Sequence, residues 1–590
     1  MTAPRARMTH WYSVPRLIDI GTRVAVSTIF GEFADRRSVL TAERHIDPAA
    51  IDPSYVYAPD QDGNFWFDFA ADTGDGWDST YAVARLLAAD AVDPAGNTDG
   101  ALRRGRLLVL GGDEVYPTPS DERYRVQFVA PFAEASGGIT PADPESDLYV
   151  MPGNHDWYDG LSAFLNLFCW RQLPGPWSPG RRGNRIGLWR TQQTRSYFAL
   201  KLPQNWWLWG TDIQLTNYID QAQIDFFEHI AREWMPEGAR LVLCAGVPDW
   251  VYADPSDPAK TFTHFSFVEG ILHRVRRNQR LAAILTGDSH HYSRYREDDR
   301  HYITAGGAGA FLHPTHHLPE QRTFDWDWPR PNPSVGPSPA PSPPGTAGTQ
   351  PHRRSFTLAH KPDGTPSVFP DQATSRRLTW LDLAFAAFNW DFALATGAFW
   401  ALLTWGLDAT AHGTGTSLPS LLIAAADFWG GVYAYVMLAI VAPWPLLVLL
   451  ALFAGFYYLA DFKARLVVGL LHTCAQIVPV VLATVALARS APWAHSSFGL
   501  IVSVGVAGAL IGGTVLGVYF LISLNCFGKH WNEAFSALRS RHYKNFLRLR
   551  IDRSGALTIY PIGLEHVPKD RSAANPALSP ILIEPPIQIR

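Results

Sequence analysis

Cysteine is scarce: four residues in 590, Cys169, Cys244, Cys474 and Cys526, with no CxxC spacing. That excludes a cysteine-based zinc ribbon and a disulfide framework, and fits a reducing compartment. Net charge is small as well, -4 at pH 7, so bulk electrostatics point to no nucleic-acid partner. The opening stretch MTAPRARMTHWYSVPRLIDIG leads into an apolar run broken by Asp19, Arg23, Glu32 and Asp35, and no secretory signal is expected there. Charge is also missing from most of the chain after residue 380, where the apolar residues gather. Two environments are implied, and at this length more than one folding unit.

From about residue 60 to 310 one pattern recurs: a short apolar run that ends abruptly in Gly, Asp, Asn or His, as in RLLVLGGDE, DLYVMPGNHD, ARLVLCAG and LAAILTGDSHH. Runs of four to eight residues bounded by turn formers read as buried strands. TYAVARLLAADAV and DQAQIDFFEHIAREW between them read as helices, so the class is α/β. Residues 1–328 are expected to form this domain. Residues 329–350 hold eight prolines among Ser, Gly and Ala, a composition that cannot bury a core, and residues 329–377 are taken as a linker. Within 378–527 four runs are long and apolar enough to span a bilayer: Leu383 to Leu407, Val436 to Ala460, Leu466 to Leu487 and Phe498 to Leu524. A fifth span starting near Leu421 is the alternative. Residues 528–590 begin basic and continue as FLRLRID and LTIYPIG around Ser554-Gly555. They are expected to form a β-hairpin on the membrane surface, with anionic lipid as a further partner of the basic stretch.

Polar residues at strand ends carry the candidate chemistry. In order come Asp72-Thr73-Gly74, Gly112-Asp113-Glu114-Val115-Tyr116, Gly153-Asn154-His155-Asp156 and Gly287-Asp288-Ser289-His290-His291. Each alone is an ordinary turn; the ordered set over residues 60–312 resembles the calcineurin-like metallophosphoesterase superfamily. Gly74 and Tyr116 resemble its purple acid phosphatase variant, in which a tyrosine replaces the histidine donor of the first motif.

The resemblance implies a four-layer β-sandwich flanked by helices and a dinuclear centre of two divalent or trivalent ions (Fe, Mn, Mg or Zn). Asp72, Asp113, Tyr116 and His290 would hold one ion, and Asp113, Asn154 and Asp288 the other. Two cations about 3.5–4 Å apart can present a hydroxide to a phosphoester, with His155 as general acid. The sequence departs from the pattern twice: Gly246 or Val247 stands where the superfamily has a lone histidine, and Asp288 where GHxH begins with one. Asp249 is a candidate to refill that second site, Asp75 is a further candidate ligand, and Asp156 and His291 are candidates to orient their neighbours. His313–His317 (HPTHH) could line the pocket mouth.

The expected function is therefore a membrane-anchored hydrolase of phosphoester substrates. The alternative is a catalytically weakened phosphoesterase fold serving as a membrane-associated binding or regulatory module; transport through the helices has little support. Arg376, Arg377, Lys463, Arg465, Lys529, Arg539, Arg541 and Lys544 flank the spans. With four spans the positive-inside rule then places the α/β domain and the C-terminus in the cytoplasm of a bacterial-type inner or other cellular membrane.

Overall fold

The computed structural model describes residues 5–19, 21–22, 55–137, 146–169, 183–213, 219–253, 263–275, 277–326, 352–568 and 578–590. The chain divides into an α/β unit (1–9, 20–375 and 539–590) and a helical unit (10–19 and 376–538).

The α/β unit holds two mixed sheets. Its main strands are β1 Phe65–Ala70, β2 Leu107–Leu110, β3 Ser146–Val150, β4 Trp189–Thr191, β5 Phe198–Lys201, β6 Trp206–Gly210 and β7 Arg240–Ala245, followed by β8 Arg280–Thr286, β9 Tyr292–Glu297, β10 Arg300–Ala305, β11 Gln321–Trp326, β12 His352–Leu358, β13 Lys544–Ile551 and β14 Leu557–Leu564. The first sheet runs β14-β13-β1-β2-β3-β4 and the second β11-β12-β9-β10-β8-β7-β6-β5. Parallel pairing of β1, β2 and β3 puts the ends of all three on one edge, and β6, β7, β8 and β10 do the same in the second sheet.

Side chains alternate across each strand, so β1 (FWFDFA) turns Phe65, Phe67 and Phe69 to one face and Trp66, Asp68 and Ala70 to the other. Phe65, Phe67 and Phe69 join Leu107, Val109, Tyr149, Leu547 and Leu549 in a cluster that also takes Trp206, Leu208, Val242 and Leu285 from the second sheet. Leu108, Leu110, Leu148 and Val150 face the opposite way, against helix α1 (Trp77–Ala88). In the second sheet Trp207, Trp209, Leu241 and Leu243 pack with Phe227 of α2 (Gln221–His229).

Two boundaries differ from expectation. The proline-rich stretch 329–350 lies outside the described residues, but from His352 the supposed linker is strand, paired with β11 from Arg322↔Phe356 to Gln321↔Thr357. The C-terminal segment is no separate hairpin either. β13 lies between β14 and β1, with Phe65↔Ile551 through Phe69↔Leu547 in antiparallel register. Its basic residues serve that position: Arg548 is fully buried and paired with Asp68 at 2.8 Å, and Lys544 is fully buried too.

In the helical unit, α3 Trp390–Gly413, α4 Arg465–Ser490 and α5 Ser497–Phe527 are each long and apolar enough to cross a membrane. A further pair, Phe428–Val441 and Trp444–Leu459, qualifies when counted together and is bent by 93°. The break falls where Pro443 and Pro445 stand, which fits proline's missing N–H and its clash with the preceding turn. The region around Leu421 forms only a seven-residue helix, Leu418–Ala424. Glycine permits the tight crossing of α3 and α5: a Cβ on Gly397 would lie 2.5 Å from the Gly505 carbonyl oxygen, and one on Gly508 2.6 Å from Trp400. An α/β domain with several long apolar helices makes this a multi-pass membrane protein.

Candidate functional site

Three aspartates open the site, each just past a strand and each in the left-handed region: Asp72 (φ 58°), Asp113 (φ 57°) and Asp288 (φ 62°). Few side chains tolerate that backbone, and Asp and Asn are among them. The loops after β1 and β2 are tied together by Asp72 N–H to the Gly112 carbonyl (2.9 Å) and Thr73 N–H to the Asp113 carbonyl (3.0 Å). The Asp288 N–H donates to Asp72 Oδ1 at 3.2 Å. Space for the Asp72 carboxylate is left by two glycines, since a Cβ on Gly287 or Gly306 would come within 2.8 or 2.3 Å of its Oδ2.

Tyr116 sits at the centre. Its hydroxyl lies 2.9 Å from Asp72 Oδ1, 3.2 Å from Asp113 Oδ2 and 3.0 Å from His290 Nε2. Asp72, Asp113, Tyr116 and His290 are all buried. Burial raises the Asp72 and Asp113 carboxyls well above the usual range, and neighbouring carboxylates, Asp113 and Asp288 for Asp72, Asp156 and Asp288 for Asp113, push the same way. The Tyr116 phenol is raised too, by burial and then by Asp113 and Asp72. The floor is therefore a set of buried carboxyls, a phenol and an imidazole sharing hydrogen bonds, in which burial disfavours every charged form.

Around it, Asp156 is an organiser of backbone. Its Oδ2 accepts the N–H groups of Asp113 (2.9 Å) and Gly153 (2.8 Å), and its Oδ1 accepts the Tyr124 hydroxyl. Expected to orient ligand histidines, it fixes the two loops. Asp75 likewise accepts Thr9 N–H (2.9 Å) and Phe311 N–H (3.3 Å). His155 donates its own N–H to Asp113 Oδ1 (2.8 Å), and its Nδ1 is 2.7 Å from the Pro117 carbonyl, so that nitrogen carries the proton. Asn154 reaches the Tyr158 hydroxyl at 3.4 Å. Asn154, His155, Tyr158 and Asp288 are partly exposed and form the rim.

His291 is buried, its imidazole pushed down to about 3 by burial. Asp249 is also buried, close enough that its charge adds to burial in raising Asp288 to about 6. Sequence reasoning undervalued His313: its Nδ1 accepts His290 N–H at 3.0 Å and the two rings stack at 3.8 Å. It missed Lys544, whose signal, a lysine opening an apolar alternation, reads locally as an exposed strand residue.

The expected dinuclear centre is overturned. Among the described residues no group of three or more His, Cys, Asp or Glu side chains is placed to hold a metal ion. In this structure the Tyr116 hydroxyl instead bonds to three of the donors assigned to the first ion, Asp72, Asp113 and His290. Asp113, Asn154 and Asp288 offer the second position no imidazole. At Gly246 an added Cβ would meet nothing nearer than Ile213 at 3.6 Å. Burial lowers the His155 imidazole to about 4. The metal cofactors, the hydrolase reading and the phosphoester substrate fall together.

No known protein-family profile matches the chain, and no curated protein does. Among solved structures it is similar to GAP50, the anchor in the inner membrane complex of Plasmodium, at 10% identity and a TM-score of 0.30 over 42% of this chain and 74% of that one. It is also similar to purple acid phosphatase PPD1 from yellow lupin (Lupinus luteus) seeds, at 12% identity and a TM-score of 0.25 over 43% of this chain and 46% of that one. These matches are distant and partial and assign no family.

Proposed function

We propose that this chain is a membrane-bound, non-catalytic phosphoesterase-like module that acts in binding or regulation. The observation that carries the reading is that, among the described residues, no group of three or more His, Cys, Asp or Glu side chains is placed to hold a metal ion, while the Tyr116 hydroxyl is hydrogen-bonded to Asp72, Asp113 and His290. Asn154, His155, Tyr158 and Asp288 form the binding rim. The two sheets act as the inner layers of a four-layer sandwich, a reading supported by the apolar cluster they share.

The module is tethered with both of its chain segments on one face of the bilayer, the cytoplasmic one. β1 precedes the helices and β13 follows them, yet they pair over five residues; segments of one sheet must be on the same side, so the number of crossings is even. The three long helices need the bent pair as a fourth crossing. Exposed aromatics suit that path: Trp390, Tyr458 and Phe527 stand at one set of helix ends, Trp429, Trp493 and Phe498 at the other. Arg376, Arg377, Lys463, Arg465 and Lys529 gather at the first set, whereas Arg489 at the second donates to the carbonyls of Leu422 and Ala425 at 3.0 Å each.

The test is a panel of aryl phosphate mono- and diesters, nucleotides and phospholipids offered to the detergent-solubilised full chain with Mn²⁺, Mg²⁺, Zn²⁺ or Fe²⁺. Turnover indistinguishable from that of Asp113→Asn is expected. Hydrolysis that collapses in Asp113→Asn would overturn the reading.

A further inference from the structure

The long helices do not exhaust the apolar surface of the helical unit. Its first segment, His10–Asp19, precedes β1 in sequence yet belongs with those helices. Tyr12 holds it there: the hydroxyl donates to the Glu533 carbonyl at 2.8 Å, and the ring meets Phe385 at 4.9 Å, Phe392 of α3 at 5.8 Å and Phe520 of α5 at 6.1 Å. Residues 14–19 are helical. Ser13 opens the turn, its carbonyl accepting the N–H groups of Arg16 (3.0 Å) and Leu17 (2.9 Å), and Pro15 suits a first turn, where no N–H is needed. Val14, Leu17 and Ile18 fall at i, i+3 and i+4, on one face of that helix. This face is the exposed one, Ile18 by 66%, while Ser13, Arg16 and Asp19 are half-buried. A helix on a water-facing surface has the opposite arrangement.

Thr379–Ala384 repeats the inversion. In this 3₁₀ segment Thr379 and Asp382 are wholly buried, whereas Trp380, Leu381 and Leu383 are exposed. Exposed Arg376 and Arg377 precede it, and it leads through Phe385, the neighbour of Tyr12, to exposed Trp390 at the start of α3. Basic residues next to exposed tryptophans mark the level where headgroups meet acyl chains. Two segments far apart in sequence and joined at Tyr12 thus turn apolar side chains outward beside the ends of helices long enough to cross a membrane.

We propose that residues 13–19 and Thr379–Ala384 form an in-plane collar whose partner is the bilayer surface: Val14, Leu17, Ile18, Trp380, Leu381 and Leu383 enter the boundary between headgroups and acyl chains on the side marked by Arg376 and Arg377. The chain is then held to the membrane ahead of its first crossing, by a helical segment that lies along the surface. This goes beyond the non-catalytic reading and holds whether or not the cluster around Tyr116 is active.

The test uses the full chain in phosphatidylcholine vesicles, with Cys474→Ser and Cys526→Ser removing the exposed thiols. A nitroxide is attached in turn at Leu17→Cys, Ile18→Cys and Leu381→Cys, and at Ser554→Cys as a reference, Ser554 being an exposed residue of the turn between β13 and β14. Oxygen concentrates among acyl chains and a nickel chelate in water, so the ratio of oxygen to chelate accessibility at the first three labels should exceed that at the reference several-fold. Ratios equal to the reference would mean a water-facing surface, and labels closed to both relaxants would mean a protein partner such as a second copy; either result overturns the proposal. Wild type supplies a check free of substitutions. A photoactivatable carbene carried on an acyl chain should modify peptides containing residues 14–18 and 380–383 as well as the long helices, and labelling confined to the long helices would equally overturn it.

Discussion

Replacing Tyr116 with phenylalanine removes one hydroxyl shared by three buried groups, and the loss should be visible in stability rather than in metal content. Leaving Asp72 and Asp113 short of a partner costs about 1–3 kcal/mol, to be read as a lower denaturation midpoint with unchanged elemental composition. Two neighbours give opposite pH signatures. Asp288 is raised to about 6 in the fold, so its contribution is complete below about 4 and is lost as pH rises through 6; Asp288→Asn should gain on wild type in Tm across that window. His155 is lowered to about 4, so its contribution is complete above about 6.5 and is lost as pH falls through 4. His155→Gln should flatten the acid side of the stability curve. The positions of these residues were legible because a strand ending in Gly-Asp or Gly-Asn-His fixes where a side chain emerges. What Tyr116 does there was not, since GDxxY is the same string whether the phenol oxygen binds a metal or bonds to the carboxyls in its stead.

β13 shows where local pattern stops being informative. Its alternation, KNFLRLRI, announces a strand but not a partner hundreds of residues away, and register is set by the tertiary fit. Arg548 is the sharpest case: read locally it is one more charge in a basic tail, yet it is buried against Asp68 through both Nε (2.8 Å) and Nη2 (3.1 Å). Burial holds the Asp68 carboxyl above its ordinary range in spite of that guanidinium. Arg548→Ala should therefore cost about 3–5 kcal/mol, the expense of stranding a buried charge, whereas Asp68→Asn/Arg548→Leu should recover much of it; chemical denaturation of the two distinguishes them. A fragment of residues 1–328, expected from the sequence to form a domain, would expose the β13-facing edge of β1 along Phe65–Phe69 and is expected to aggregate. The long apolar helices were legible by length and composition, but the 93° bend of the second span was not.

At the scale of the whole molecule, one sheet built from chain on both sides of the helices ties topology to folding. Reporter fusions at residue 360 and after residue 590 should report the same side of the membrane, and opposite sides would mean that β13 cannot pair with β1. The same architecture places Lys544 and Asn545, from beyond the last span, against the loop after β10, which is itself bonded to the loop that carries Asp72. Such a site is held together by the hydrogen bonds among Asp72, Asp113, Tyr116 and His290. The central claim, that the cluster around Tyr116 holds no metal, meets its most direct test in elemental analysis of the full-length wild-type protein, purified without chelator and dialysed against Mn²⁺, Zn²⁺ and Fe²⁺ in turn. The account predicts well under one equivalent of any of the three per chain; two equivalents, lost together in Asp113→Asn, would contradict it.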